Sequence, residues 1–145
     1  MAEYWYLANS RLKFEGVEDL DPIRIELWRE VVEQDEELFW FETTPHGKQF
    51  FQDPNTSQEE LEKLKRVKAQ MDMNKKYGHG NVQFNYNSKV GHIAITHTRK
   101  TLKRIEKYFE IAERLSANLY KNKIHISEKQ LDKLKAKQRG NDHPS

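Results

Sequence analysis

The residues best suited to chemistry in this chain are three histidines, His79, His92 and His97. The alternating run 92–97 should pair in a hairpin with residues 82–86, which brings His97 beside Asn81 at the open end and within reach of His79. Two imidazoles there, followed at once by Arg99, Lys100, Lys103 and Arg104, are the side chains that hold a phosphate or contribute to a metal site. His79 and His97 are therefore the candidate ligand or anion residues. The pattern also limits the idea. His92 and His97 are separated by an odd number of positions and so face opposite ways on a regular strand. No His-Glu-x-x-His pair, third ligand at a telling spacing or neighbouring carboxylate completes a metal set, and His97-Thr98 is not a His-x-Thr motif. Gly78-His79-Gly80 is a flexible turn, but the chain lacks the glycine-rich phosphate loops and the Gly-x-Ser-x-Gly nucleophile turn. With no cysteine there is no thiolate ligand, disulfide or cysteine nucleophile. The expectation is no catalytic residue, no metal and no cofactor.

Basic side chains are the second set. Residues 1–62 carry 5 basic and 16 acidic side chains, a net of −11; residues 63–97 carry 7 and 1, and residues 98–145 carry 13 and 6. The net charge of +2 thus conceals a strong gradient. Lys65, Lys68, Lys75 and Lys76 fall on one predicted helix, and Arg99, Lys100, Lys103 and Arg104 crowd the start of another. Cations at this density suit a nucleic-acid backbone, because each phosphate contact releases a counterion. The alternative is mutual neutralisation: Glu59, Glu60 and Glu62 stand one turn from lysines, and the acidic and basic halves can pack side by side.

Aromatic runs are the third set: Tyr4, Trp5 and Tyr6; Phe39, Trp40 and Phe41; Phe50 and Phe51; Phe84 and Tyr86. Consecutive aromatics on a strand point to both faces. Helices covering one face would leave the others to a partner or a ligand, and Trp5, Trp40, Phe51 and Tyr86 are the candidate interface residues. The carboxylates Glu36, Glu37 and Glu42, and Glu18, Asp19 and Asp21, have nothing to gather them into a pocket and read as surface charge.

These residues need elements to position them. The strongest periodicity lies in 98–119, where Leu102, Ile105, Phe109, Ala112, Leu115 and Leu119 recur at helical steps, with Thr98 as the expected N-cap. The run 4–8 lacks polar alternation and predicts a strand covered on both faces; residues 11–14 alternate, and Gly16 with its acidic followers reads as a loop. Asp21-Pro22 should open a helix over 22–34, though Ile23, Ile25 and Leu27 also alternate as a strand would. Residues 37–42 and 48–52 read as a hairpin around Thr44-Pro45-His46-Gly47. Ser57 and Glu60 form a capping box that should start a helix running to about residue 76, with Gly78 as its stop. Residues 124–126 suggest a short strand, and Ser127 with Gln130 a second capping box opening a basic tail helix over 127–138.

The chain of 145 residues is long enough for one core. Its mean hydropathy of −1.00 is very polar, but 11% aromatics and clear periodicity indicate a folded domain. The expected fold is α+β: one domain over 1–138, an antiparallel or mixed sheet of about five strands, three main helices on it, a weakly anchored helix over 127–138 and a disordered tail over 139–145. Without a basic apolar leader, or a run approaching the roughly 18 apolar residues of a span, a cytoplasmic protein without a membrane contact is expected. The leading functional expectation is a small non-enzymatic protein-binding module, accessory or regulatory, whose aromatic-bearing sheet face meets another protein or a second copy of itself in a homodimer. A nucleic-acid-binding protein using the basic face of residues 63–76 and 99–107 is the alternative, and a small enzyme or phosphate-ligand binder near His79 and His97 the third.

Overall fold

The computed structural model describes residues 4–9, 11–13, 16–19, 21–122 and 124–141, with the backbone alone for 11–13, 16–19 and 138–141. Nine strands and five α-helices are described: β1 Trp5–Ala8, β2 Arg11–Lys13, β3 Gly16–Asp19, α1 Ile25–Gln34, β4 Leu38–Trp40, α2 Pro45–Phe50, α3 Gln58–Leu64, β5 Lys68–Met71, β6 Val82–Asn87, β7 His92–His97, α4 Leu102–Arg114, β8 Asn118–Lys121, β9 Ile124–Ile126 and α5 Glu128–Asn141. A short 3-10 turn, Phe41–Thr43, joins β4 to α2. Seven strands form one antiparallel sheet in the order β4-β5-β6-β7-β1-β8-β9, and β2 and β3 form a separate hairpin. The class is α+β as expected, with more strands than the five anticipated.

Alternation explains how the core forms. Trp5 and Leu7, Val82, Phe84 and Tyr86, and Ile93 and Ile95 share one face and are buried. Trp28 of α1 meets Phe84 at 6.1 Å between ring centroids, and Phe84 meets Tyr108 of α4 at 5.9 Å. Both helices therefore cover the same face. The opposite face carries Gln70, Gln83, Asn85 and Thr96, with Phe39 near the β4 edge.

Several expectations are corrected. Residues 48–52 do not return as a strand. Thr44 Oγ1 accepts from the Gly47 N–H at 2.9 Å and Pro45 occupies the first turn, so the same Thr-Pro pair opens α2. Gly47 is required there, because a Cβ would lie 1.8 Å from the Phe41 carbonyl oxygen. The helix begun by Ser57, whose Oγ accepts from Glu60 N–H at 3.2 Å, ends at Leu64 rather than near residue 76. Arg66 then takes φ of 54°, and Ala69 and Met71 follow with strand alternation into the core as part of β5. A stripe of apolar residues at three- and four-residue steps had concealed a period of two. Residues 16–19, read as a loop, form β3. Helix α1 starts at Ile25, because Ile23 is held outside it by a 3.0 Å bond from its N–H to the Gly91 carbonyl. The main helix is shorter than 98–119: Thr101 caps it, Ser116 reverses the chain at φ of 52°, and Leu119 belongs to β8. The second capping box is complete, with Ser127 N–H donating to Gln130 Oε1 and Gln130 N–H to Ser127 Oγ. Of the tail over 139–145, residues 139–141 belong to the last turn of α5 and 142–145 lie outside the described residues. Among the described residues, no helix is long and apolar enough to cross a membrane.

Candidate functional site

The start of α4 is organised by a buried cation. Arg104, expected among surface charges, is 0% exposed. Its Nε donates to the Tyr77 carbonyl at 3.0 Å, and its two terminal nitrogens donate to the carbonyls of Arg99 and His79. A guanidinium is the one side chain that can span three acceptors at fixed angles while remaining charged. Two loops that arrive from different strands, one at 77–80 and one at 98–101, are thereby tied together. Thr98 adds to the tie, since its Oγ1 accepts from Asn81 N–H at 3.0 Å. Gly80, at φ of +112°, makes room: a Cβ there would stand 2.1 Å from Thr98 Oγ1. The Gly78-His79-Gly80 turn is thus shaped by Arg104 and Thr98, with the His79 carbonyl turned inward.

The tie brings together most of the basic residues singled out above. Arg99, Lys100 and Lys103 are exposed on one loop and the first turn of α4, as are His79 on the other loop and Lys75 and Lys76 just before it. Lys65 and Lys68 are elsewhere. Lys65 pairs with Glu62 at 2.7 Å, and Lys68 lies over the Phe41 ring at 4.8 Å, on the face of the sheet away from α1 and α4. The single basic helix face over 63–76 does not exist.

His97 turns towards the core. Its Nδ1 lies 3.0 Å from Tyr108 Oη, and its ring is stacked on Tyr108 and tilted against Trp5. Burial raises the Tyr108 pKa, against the lowering effect of the Arg104 charge. The Nζ atoms of Lys100 and Lys121 each lie 5.9 Å from the Trp5 ring centroid. His92 is buried and its pKa is lowered by that burial. Among the described residues no group of three or more histidines and carboxylates is arranged to hold a metal.

A second cation of the expected basic face over 99–107 is also buried. Lys107 is 3% exposed, and its Nζ lies 2.7 Å from Asp35 Oδ2, 2.9 Å from Glu37 Oε1 and 3.9 Å from Glu110 Oε2. Arg114 adds a contact to the same Asp35 oxygen at 2.9 Å. Burial alone would raise the Glu37 pKa. Hydrogen bonds from Lys107 and Tyr77, the Lys107 charge and a bond from Lys76 outweigh it and hold the carboxyl at about 2. Burial works against the Lys107 charge too, but its two carboxylate partners raise its pKa above the ordinary lysine value. The Tyr77 hydroxyl is raised by burial and by Glu37. One signal was legible: Arg104, Lys107, Ile111 and Arg114 follow helical spacing beside the apolar stripe. Asp35 and Glu37, about seventy positions away, gave no sign of being their partners.

The aromatic candidates divide. Trp5 is 3% and Tyr86 is 9% exposed, and Tyr86 Oη donates to the Ile23 carbonyl at 2.6 Å. Both are core residues, which corrects their placement at an interface. Trp40 is half-buried, edge-on to Trp28 at 6.2 Å, and its Nε1 is buried without a hydrogen-bond partner. Phe51 is half-buried and lies 5.3 Å from Phe50. Phe50 in turn lies 6.2 Å from Phe41. Phe39, at 37%, and Phe50, at 43%, are the exposed aromatics of this edge, and neither is among the expected interface residues of the aromatic runs. Beside them the segment 41–46 forms one wall of a pocket of about 710 Å³ floored by Phe39, Gln70 and Gln83. On the other side of the molecule, between α4 and α5, a groove of about 590 Å³ is bordered by Glu106, Glu110, Glu113, Glu128 and Asp132.

No protein-family model, curated protein or solved structure matches the chain.

Proposed function

We propose that the protein is a non-enzymatic binding module that engages another protein through the aromatic edge formed by Phe39, Phe41, Phe50 and Phe51. The observation that carries this reading is a pocket lined by Phe39 and Phe41 and by the amides of Gln70 and Gln83, from which Phe41 continues to the partly exposed rings of Phe50 and Phe51. Aromatic rings with few rotatable bonds, set beside polar groups that fix orientation, are the usual anchors of protein recognition. A binding role is also supported by where the perturbed ionisable groups lie. Glu37, Tyr77 and Lys107 are engaged with one another, and Tyr86 and Tyr108 with the core; none borders this pocket.

Selection of displayed peptides on the immobilised protein tests the reading. Peptides carrying apolar or aromatic anchors should be enriched, and Phe39→Ser/Phe50→Ser should weaken their binding by at least about tenfold, the effect of losing one good anchor. An unselective outcome, or binding that survives the double substitution, overturns it. Light scattering separates a self-partner: a homodimer through this edge should become monomeric in the same variant.

A further inference from the structure

We infer that the basic end of the sheet is a separate binding site for single-stranded nucleic acid. Four of five consecutive strands deliver its cations, with β1 lying between β7 and β8. Lys121 closes β8, Lys100 follows β7, His79 precedes β6 and Lys75 follows β5. The pairings Trp5 with Lys121, Trp5 with Ile95 and Val82 with His97 put these strand ends at one end of the sheet. From β8 to β5 is four strand spacings, about 19 Å. Arg99 and Lys103 stand at the middle of this row, and the carbonyl bonds of Arg104 keep its two loops in register. The row is long and narrow, the shape of an extended phosphate backbone rather than of a flat membrane patch.

One aromatic group lies at the same end. Tyr4 is 58% exposed, and its backbone is fixed by a bond from its N–H to Asn122 Oδ1 at 2.9 Å and by one from Asn122 N–H to its carbonyl at 2.7 Å. An exposed ring on an anchored backbone, next to a row of cations, favours a ligand with both phosphates and bases, since bases stack on such rings whatever their sequence. This is why a nucleic acid fits better than an acidic protein segment, which would use the cations alone. Neither its cations nor Tyr4 belong to the Phe39–Phe51 edge, although Asn81 of the neighbouring pocket is bonded to Thr98, so either can fail without the other.

Fluorescence anisotropy with labelled oligothymidylate and oligouridylate of about 12 nucleotides, a length within the usual single-strand site range, tests the proposal. Affinity should fall roughly 10-fold or more between about 50 and 200 mM salt, as expected when three or so phosphates are neutralised. Lys100→Gln/Lys103→Gln/Lys121→Gln should weaken binding and flatten the salt dependence by about two counterions, at ~0.7 per phosphate on a single strand. Tyr4→Ala should weaken binding about fivefold or more with the salt slope unchanged, because stacking releases no counterion. Lys129→Gln/Lys133→Gln/Lys135→Gln on α5 removes the same charge elsewhere and should change affinity less than about twofold. No binding at low salt overturns the proposal. So does an equal loss in the α5 variant, which would make the attraction one of net charge. Equal binding of polyglutamate would assign the row to an acidic protein, and equal binding of anionic vesicles to a membrane surface; either result also overturns it.

Discussion

Arg104 and Lys107 stand three residues apart on α4, both buried and both charged, yet their surroundings are opposite. Lys107 is surrounded by carboxylates: Asp35 and Glu37 within 2.9 Å, with Glu110 at 3.9 Å. Arg104 is surrounded by carbonyls of Tyr77, Arg99 and His79, and among the described residues no carboxylate pairs with it. The Lys107 charge is neutralised where it sits and serves to dock α4 against the end of α1 and the start of β4. The Arg104 charge is solvated by peptide dipoles and serves to hold two loops. Its positive charge is not cancelled, so it adds to the field of Arg99, Lys100 and Lys103 outside. One helix thus carries an ion pair that fastens secondary structure and a cation that shapes a surface.

The comparison breaks most visibly at Lys107. Lys107→Met leaves Asp35, 4% exposed at its side chain, with Arg114 as its remaining cation. Removing one partner of a buried pair typically costs ~3–5 kcal/mol, and urea denaturation should show a loss of that size. Arg104→Met should cost less, ~2–3 kcal/mol, since carbonyls stripped of a charged donor can turn towards water. Its signature should be local: faster amide exchange at 77–81 and 98–101, with α1 and β4 still protected. Arg104→Lys should not restore the wild type, because an ammonium cannot span three fixed carbonyls as a guanidinium does. If the two methionine variants lose equal stability over the whole chain, the division of labour between the cations is wrong.

Acid sharpens the same contrast. The folded Glu37 carboxyl, held at about 2, lies below its ordinary value of 4.5. Its contribution to stability is therefore complete above the unfolded value and is lost as pH falls from there through about 2. The urea midpoint should drop across that interval in the wild type, and Glu37→Gln should flatten the drop. Arg104, bonded only to groups that do not titrate, should give a variant whose acid profile keeps the wild-type shape.

What the sequence revealed follows from the range of the interactions. Local signals were readable: the 82–86 and 92–97 hairpin, the Ser57 and Ser127 caps and the apolar stripe of α4 depend on residues close in the chain. The residues 65–71 misled because Val67, Ala69 and Met71 satisfy a strand while Leu64, Val67 and Met71 imitate a helix, and only pairing with β4 and β6 decides between them. The basic end was half-legible. Arg99, Lys100, Lys103, Lys75 and Lys76 stood out by type, but their assembly depends on Arg104 reaching back to residues 77 and 79. The aromatic edge was legible as composition and not as exposure: Trp5 and Phe39 look alike in the sequence, and the sheet buries one while exposing the other.

The smallest expected effect separates two threonines. Thr98 stood as the expected helix cap, whereas Thr101 Oγ1 accepts from Arg104 N–H at 3.3 Å and Thr98 Oγ1 accepts from Asn81 N–H. Thr101 thus caps the helix at the residue whose side chain holds the loops, while Thr98 acts only between the loops. Thr101→Ala should lower stability by ~1 kcal/mol, the usual worth of a cap, and Thr101→Ser should recover most of it. Thr98→Ala should leave helix content unchanged and speed amide exchange at Asn81, whose donor loses its acceptor. Were Thr98→Ala instead to cost helix content as Thr101→Ala does, α4 would begin a turn earlier. The loop at 98–101 would then be helix, and its Arg99 carbonyl would be turned from Arg104 into the helical ladder, which would remove the bond that sets the two buried cations apart.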